Sequence, residues 1–364
     1  MNIALIGESI SSLVLSKILI KKNINVSLFF VRNNLKKQSL RTIGISKNNI
    51  DFLKKNNLDL SNLSWPIKGI KIFNEINRQN ELLNFQNNKN NLFSLVKNGD
   101  LFDLLRKKLN RNKLLKRFEV GNNFDYQKIL KNNKYDLIIN SDVRNNISKN
   151  FSHRKINKDY NSFAFTAFIN HKSCKNNFAT QIFTKYGPLA FLPYSKNQTS
   201  IVFSLKNNNF PFLNSDLEKL VRKYNNYYKI NSFSKIEKFQ IKFSFARNYY
   251  HKNILLFGDA LHQVHPLAGQ GFNMTLRDIK ILLSLIDEHT DLGLPLDKSL
   301  LLKFENKIKH FNLIFASGID LIHEFFIFDS KVNNLFTKNV FKVLEDNKLF
   351  KYYVSKFANN GISF

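Results

Sequence analysis

One segment in the last third of the chain constrains the fold more than any other feature. Residues 253–278 read NILLFGDALHQVHPLAGQGFNMTLRD, in which an apolar run ends in Gly258-Asp259 and a loop leads into apolar residues at helical spacing. This order is typical of a strand–loop–helix unit in an α/β fold. The pattern predicts a strand over 254–258 and a helix over 271–286.

The two ends of this unit have the chemistry of a flavin or nucleotide site. A carboxylate such as Asp259, placed at the end of a strand, can accept hydrogen bonds from a ribityl chain. The glycines of 268–271 free backbone N–H groups at a helix N-terminus, which carries partial positive charge. That end suits a ring edge that becomes anionic on reduction, as in flavins. A glycine-rich turn before a core helix is the alternative interpretation.

The first thirty residues form a second unit of a related kind. Residues 3–7 are apolar and end in glycine, residues 13–20 have helical spacing, and residues 25–30 read as another short strand. A strand, a tight turn, a helix and a strand of this length match a βαβ unit. Residues 135–140 are one more buried-strand candidate, and we therefore expect an α/β domain.

The turn after the first strand departs from the usual nucleotide-binding pattern. That pattern is G-x-G-x-x-G, followed by an acidic residue at the end of the second strand that binds a ribose. This chain keeps Gly7, has Ser9 and Ser12 at the next two glycine positions, and has Phe30 in place of the acid. A βαβ unit without a nucleotide is equally compatible with this turn.

The middle of the chain has the composition of a sheet rather than of further βαβ units. We predict an antiparallel sheet inserted into the α/β domain, and a mostly helical pattern from Leu300 onward. The strand candidates are 67–73, 162–170, 181–183, 189–192 and 200–205.

The charge of the chain raises the question of an anionic partner. Lys and Arg number 56 against 27 Asp and Glu, a net charge of +29 in 364 residues. The excess is spread along the chain in Asn- and Lys-rich pieces such as 87–91, without an arginine-rich tract or a zinc-finger spacing. We expect no nucleic-acid partner. Genomic composition bias and attraction to an anionic membrane surface remain as explanations.

The cysteine content and the hydropathy pattern limit the remaining classes. A single cysteine, Cys174, excludes a disulfide scaffold, an iron–sulfur cluster and a thiolate zinc site, and we expect no metal site. The chain has no run of about 18 uncharged apolar residues and no basic leader before its first apolar run. These features predict a cytoplasmic location.

Taken together, these motifs resemble the signature of the ubiquinone-biosynthesis hydroxylases, which are FAD-dependent aromatic monooxygenases of the para-hydroxybenzoate-hydroxylase type. The most specific segments are 258–260, 265–271 with Asn273, and 187–193. Weaker similarities extend along most of the chain, at Arg41–Ser46, Trp65–Ile67, Leu95–Leu105 and Arg277-Asp278.

The resemblance implies an α/β fold in which a Rossmann-like FAD-binding domain carries an inserted antiparallel substrate sheet and a helical C-terminus. The FAD-binding domain would comprise residues 1–65, 90–155 and 245–364. The substrate-binding sheet domain would comprise residues 66–89 and 156–244.

The motifs and the resemblance together assign the site residues. The cofactor-binding residues are Gly7, Ser9, Ser12, Arg41, Asp142, Gly258, Asp259, Pro266, Ala268, Gly269, Gln270, Gly271 and Asn273. The substrate-binding residues are Phe183, Pro188, Leu189, Leu192 and Pro193. His265 and Pro266 would form the environment of the flavin ring, where His262 is the other titratable candidate, and both histidines can equally be structural.

The departures from the family pattern lie on one side of the expected cofactor site. Asp142 is kept from the family's central Asp-Gly motif, while Val143 replaces the glycine and Lys149 stands where an arginine is usual. The two missing glycines, at residues 9 and 12, and the missing acid, at residue 30, also belong to the part of the pattern that binds the adenosine half of FAD. We expect weakened or compensated FAD affinity rather than loss of the site.

The function implied by the resemblance is ring hydroxylation of a polyprenylated phenol in ubiquinone biosynthesis, with FAD as cofactor, NAD(P)H as transient electron donor and O₂ as co-substrate. A prenylated substrate implies contact with the surface of the inner membrane, for which the C-terminal residues 325–328 and 340–357 are candidates; packing against the FAD domain is the alternative. A quinone-biosynthesis complex is a further expected partner. A soluble aromatic substrate and a non-catalytic scaffold in such a complex remain as alternatives.

Overall fold

The computed structural model describes residues 1–32, 40–75, 81–86, 91–122, 124–126, 128–129, 134–150, 155–206, 214–264 and 270–331. The strands are β1 (Asn2–Ile6), β2 (Asn25–Val31), β3 (Thr42–Ser46), β4 (Ser64–Ile67), β5 (Gly69–Asn74), β6 (Leu83–Gln86), β7 (Phe93–Lys97), β8 (Leu115–Val120), β9 (Leu137–Asn140), β10 (Lys155–His171), β11 (Phe178–Thr184), β12 (Gly187–Pro193), β13 (Gln198–Lys206), β14 (Ile230–Phe233), β15 (Glu237–Ala246), β16 (Tyr250–His251), β17 (Ile254–Leu256) and β18 (His262–Gln263). The helices are α1 (Ile10–Lys21), α2 (Lys47–Lys55), α3 (Asn98–Leu109), α4 (Asn146–Asn150), α5 (Asn214–Tyr224), α6 (Gln270–Asp291) and α7 (Lys298–Lys331), with one 3₁₀ turn at Gly258–Ala260.

A six-stranded sheet forms the nucleotide-binding half of the fold, in the order β16-β17-β9-β1-β2-β8. The five strands from β17 to β8 are parallel. Residues of β1, β9 and β17 are almost entirely buried, as expected for parallel strands covered on both faces. The chain runs from β1 to one side through β2 and β8, and then returns to the other side through β9 and β17. This reversal leaves a crevice at the carboxyl ends of β1 and β9, where open α/β sheets bind ligands.

A nine-stranded sheet forms the second half, in the order β18-β15-β10-β13-β12-β11-β5-β6, with β14 beside β10. All of its strand pairs are antiparallel except β5 with β11. On one face, side chains of β10, β12 and β13 pack with Leu217, Val221 and Tyr224 of α5. We call this the helix-covered face.

The opposite face, here called the inner face, carries Thr166, Leu192, Ser200 and Phe239. A third sheet, in the order β3-β7-β4, packs on it: Ile67 and Leu95 belong to one apolar cluster with Leu192. The Thr42 hydroxyl of β3 donates a 3.3 Å hydrogen bond to Ser200 Oγ. The inner face is therefore the side that meets the segment containing Arg41.

The predicted fold class is confirmed, and most predicted strands are present. The segment 67–73 is split, because the chain passes at Lys68 from the three-stranded sheet into the nine-stranded sheet. A Cβ at Gly69 would lie 2.7 Å from the Phe178 ring, so this crossing needs glycine. The domain boundaries stay a prediction, and residues 340–357 lie outside the described residues.

Within the described residues the C-terminal pattern is helical as predicted, because α7 runs from Lys298 to Lys331. Among the described residues, no helix combines the length and the apolar composition that crossing a bilayer requires.

Candidate active site

The turn after β1 brings two strand ends together at a position that only glycine can occupy. Gly7 has φ +97°, and a Cβ there would lie 2.8 Å from Asp142 Cβ and 2.9 Å from the Asp142 backbone nitrogen. Its own N–H donates to the Phe29 carbonyl. The ends of β1 and β9 therefore meet at Gly7 and Asp142, on the floor of the crevice.

The two serines of this turn cap α1. Ser9 Oγ accepts a 3.2 Å hydrogen bond from the Ser12 N–H, and Ser12 Oγ accepts a 2.8 Å bond from the Ser9 N–H. Ser12 Oγ also donates to the Gly7 carbonyl. Within the described residues, the N–H groups of Ile10 and Ser11 have no hydrogen-bond partner. The serines thus occupy two of the donors at the helix N-terminus and leave two for an anion.

The turn after β17 packs directly on this helix. Gly258 has φ +56°, and a Cβ there would lie 3.1 Å from Ser11 Oγ. The next residue, Asp259, is exposed. Desolvation nevertheless raises the pKa of the Asp259 carboxyl, against the opposing charges of His262 and Arg41. A carboxylate that is reached by solvent and yet crowded by protein atoms lies on the wall of a concave site.

Arg41 lies between the crevice and the inner face. Its guanidinium stacks 3.7 Å from the centroid of the Phe239 ring. Burial lowers the pKa of Arg41, while the negative charges of Glu237 and Asp259 raise it. Glu237 also accepts a 3.1 Å hydrogen bond from the Leu40 N–H. These contacts place a cation at the junction of the two sheets.

The inner face carries an unsatisfied hydroxyl beside this junction. Thr166 pairs in register with Glu237 on one side and Val202 on the other. It is 1% exposed, and its Oγ1 has no hydrogen-bond partner within the described part of the chain. A buried hydroxyl without a partner costs about 1–3 kcal/mol, so a bound group that pairs with it gains affinity.

The predicted substrate residues divide between the two faces of the nine-stranded sheet. Phe183 pairs in register with Pro188, and Leu192 packs toward the three-stranded sheet, so these three lie on the inner face. Leu189 belongs to the cluster under α5, and by alternation Pro193 lies on that helix-covered face. The structure therefore does not bring Leu189 and Pro193 together with the others. Substrate contact by the first three stays a prediction.

Most of the loop that we predicted to surround the flavin ring lies outside the described residues. Its predicted site residues His265, Pro266, Ala268 and Gly269 are all in that part. Gln270 and Gly271 are the first two residues of α6. A Cβ at Gly271 would meet nothing closer than Val264, at 3.5 Å.

Asn273 holds α6 against β3 and α2. Its Oδ1 accepts hydrogen bonds from the Ser46 N–H and Asn49 Nδ2, at 3.0 and 2.9 Å, and its Nδ2 donates 2.8 Å to the Gly44 carbonyl. These bonds give Asn273 a positioning role, and its direct contact with a cofactor stays a prediction.

His262 and Asp278 form the centre of a buried polar network. His262 Nε2 lies 2.8 Å from Asp278 Oδ2, and Arg277 Nη2 lies 2.8 Å from Asp278 Oδ1. Burial opposes ionisation of Asp278, but Arg277 and His262 outweigh it, and the pKa of the carboxyl lies below its ordinary value. Asn312 donates to the Tyr249 hydroxyl within the same network. These contacts give His262 a structural role in joining β18 to α6.

Sequence reasoning missed Thr166, Glu237 and Glu8. Glu8 follows Gly7 directly, and its carboxylate pairs with Arg117 and Arg106. Alternation along β10 and β15 could have placed Thr166 and Glu237 on one face. No local signal marks Glu8, because its partners lie about a hundred residues away.

Comparisons with known proteins agree with this geometry. Residues 161–291 match the FAD binding domain family. The ubiquinone biosynthesis monooxygenase COQ6, mitochondrial, of Drosophila melanogaster is 27% identical over 229 residues, which cover 52% of this chain and 48% of that protein. The 3-demethoxyubiquinol 3-hydroxylase of Escherichia coli is 30% identical over 152 residues, covering 39% and 38%.

Over part of its length, the chain is thus similar in sequence to monooxygenases and hydroxylases of ubiquinone biosynthesis, and residues 161–291 match an FAD binding domain. The chain spans about half the length, or less, of the curated relatives it matches. Solved structures extend the similarity in fold: p-nitrophenol 4-monooxygenase PnpA of Pseudomonas putida has a TM-score of 0.75 at 9% identity, covering 98% of both chains. HpxO of Klebsiella pneumoniae, complexed with FAD and uric acid, has a TM-score of 0.69 at 12% identity, covering 94% of this chain and 93% of that one.

The residues at the crevice fit FAD. Gly7 leaves room where a Cβ would clash with Asp142, and the α1 N-terminus keeps two free N–H donors among the described residues. Asp259 offers an acceptor close to that helix. Arg117 Nε is buried without a hydrogen-bond partner in the described part of the chain, which leaves a polar atom for a ligand near the end of β2.

Proposed function

We propose that this protein is an FAD-dependent monooxygenase that hydroxylates the aromatic ring of a polyprenylated phenol in ubiquinone biosynthesis, with NAD(P)H and O₂. One observation carries the proposal: Asp259 and Arg41 lie where the crevice of the six-stranded sheet meets the inner face of the nine-stranded sheet. A cofactor held by the first sheet would thereby face a substrate held by the second. The sequence relatives named above support this assignment.

The chain's own residues would bind and orient FAD. When bound, FAD supplies the redox chemistry, taking electrons from NAD(P)H and activating O₂. The free N–H groups of Ile10 and Ser11 would receive a phosphate oxygen, and Asp259 would accept hydrogen bonds from the ribityl hydroxyls. Arg41 would add positive charge on the phosphate side. The α6 N-terminus would stabilise negative charge on the flavin ring.

The inner face would bind the aromatic ring of the substrate. Phe183, Leu192 and Phe239 supply apolar surface that keeps water from the reaction. Thr166 Oγ1 would pair with the ring hydroxyl, since it is buried and lacks a partner among the described residues. Glu237 lies beside Thr166 in register and would orient that hydroxyl group.

A polyprenyl tail requires access to a membrane. The net charge of +29 favours the surface of an anionic bilayer, because each Lys or Arg near such a surface contributes about 1 kcal/mol. We propose a peripheral location on the cytoplasmic side of the inner membrane, and association with other enzymes of quinone biosynthesis.

A non-catalytic scaffold is the second candidate function, because the Ser9 and Ser12 side chains occupy helix N-terminal donors that a phosphate would otherwise use. In a scaffold the fold is kept and the cofactor is lost.

Cofactor titration and turnover separate these functions. The purified full chain is titrated with FAD, and NAD(P)H oxidation is followed with and without a prenylated phenol and with a soluble phenol. FAD binding with stimulation by the prenylated phenol supports the proposal. Absence of FAD binding supports the scaffold, and stimulation by the soluble phenol alone refutes the quinone assignment.

A further inference from the structure

The adenosine half of a dinucleotide normally meets a carboxylate at the end of the second strand, which hydrogen-bonds the ribose. Here that position is Phe30, and a phenyl ring cannot accept such bonds. If the crevice binds FAD, the ribose hydroxyls need another acceptor, or FAD affinity is lost.

The strand order places another carboxylate at this point. Glu8 directly follows Gly7 at the end of β1, and its Oε1 pairs with Arg117 Nη2 on β8. Because β2 lies between β1 and β8, the ion pair between Glu8 and Arg117 bridges β2, and the Arg117 guanidinium lies beside Phe30 of that strand. A carboxylate from the end of β1 is thus paired with an arginine that lies beside the β2 position where the acid is missing.

Two arginines hold this carboxylate in place. Arg106 Nε of α3 lies 3.3 Å from Glu8 Oε1, the oxygen that also pairs with Arg117. The Arg117 guanidinium lies 4.9 Å from the centroid of the Phe30 ring, so the cluster sits beside the position of the missing acid. The Glu8 side chain is 10% exposed, and both of these ion pairs use Oε1. A carboxylate has about four lone-pair sites, which leaves acceptor capacity for a ribose hydroxyl.

Glu119 is a competing acid, because it lies on β8 in register with Phe30. Its side chain is 52% exposed and lies 3.9 Å from Arg32, an exposed contact. Its strand, β8, is also one strand farther than β2 from the crevice between β1 and β9. The geometry therefore favours Glu8.

We propose that Glu8 binds the ribose hydroxyls of the adenosine half of FAD and so compensates for Phe30. This inference rests on the proposed function only in taking FAD as the ligand. It also gives the Glu8–Arg106–Arg117 cluster a binding role besides its structural one.

The test compares FAD with FMN, which lacks the adenosine half. Affinities of both are measured by fluorescence titration of the full chain, for the wild type, Glu8→Gln and Glu119→Gln. E8Q removes the negative charge of the acceptor, so we expect about tenfold weaker FAD binding, with FMN binding unchanged. E119Q should bind both flavins as the wild type does. FAD binding that is unchanged in E8Q, or weakened only in E119Q, overturns the proposal.

A relocated carboxylate supplies the decisive control. In the double variant E8Q/F30E the acid returns to the end of β2, and we expect FAD affinity to recover toward the wild-type value. If E8Q destabilises the chain through its arginine partners, Glu8→Asp keeps the charge and withdraws the carboxylate. E8D should then show the same selective loss for FAD, and equal losses for FAD and FMN contradict the proposal. A wild type that binds neither flavin refutes the proposed function itself.

Discussion

Replacing Gly7 with alanine tests whether the ends of β1 and β9 are as close as the structure shows. The Gly7→Ala variant suffers from two effects. A non-glycine residue at φ +97° is strained by about 1–2 kcal/mol. A Cβ at 2.8–2.9 Å from Asp142 forces the backbone apart, at about 1–3 kcal/mol. Together they predict a loss of about 2–5 kcal/mol in the free energy of unfolding.

Two matched glycines separate these effects. Gly293 has φ +66°, and a Cβ added there would meet nothing within 4 Å, so Gly293→Ala should lose only the backbone term, about 1–2 kcal/mol. Gly121 has neither a clash nor a positive φ, so Gly121→Ala should change stability by less than about 0.5 kcal/mol. Denaturant unfolding of the ligand-free chain gives all three values, and FAD titration should show weakened binding in G7A alone. If G7A and G293A are equally stable, the close approach to Asp142 is refuted.

Three further substitutions test the site and its supports. Asp259→Asn should weaken FAD binding and yet stabilise the ligand-free chain at neutral pH. The pKa of Asp259 is raised on folding, so the contribution of this carboxyl to the free energy of unfolding falls as the pH rises from 3.8 through the pKa of the folded state. Unfolding curves at several pH values check this dependence. Asp278→Asn should lose about 3–5 kcal/mol, because it leaves buried Arg277 and His262 without their carboxylate. The pKa of Asp278 is lowered on folding, so its carboxylate stabilises the wild type fully at pH values above 3.8. This stabilisation is lost as the pH falls through the pKa of the folded state, and the variant should lack this pH dependence. Thr166→Val should leave stability unchanged or raise it by about 1 kcal/mol, since an unsatisfied hydroxyl is removed, while raising KM for the phenol.

Local patterns in the sequence were sufficient for the elements that carry the cofactor site. The apolar run before Gly258-Asp259 and the helical spacing after it predicted β17 and α6, because period and glycine position are local properties. Gly7 was assigned from the motif alone, and its φ and its contact with Asp142 supply the physical reason.

The sequence could not specify contacts that depend on topology. Leu189 and Leu192 stand three residues apart in one strand, so alternation places them on opposite faces, but only the packing of the sheets and α5 shows which face each one meets. The family resemblance assigned Asn273 to the cofactor, and only the packing of α6 shows that β3 and α2 also use its amide. Glu8 gained significance only once β2 was found between β1 and β8.

The central claim is tested most directly by incubating the full chain with FAD, NAD(P)H, a prenylated phenol and isotope-labelled O₂, and weighing the product by mass spectrometry. The proposed function predicts a hydroxylated ring that carries the label. FAD-bound protein that oxidises NAD(P)H but leaves the prenylated phenol unchanged in mass would contradict it.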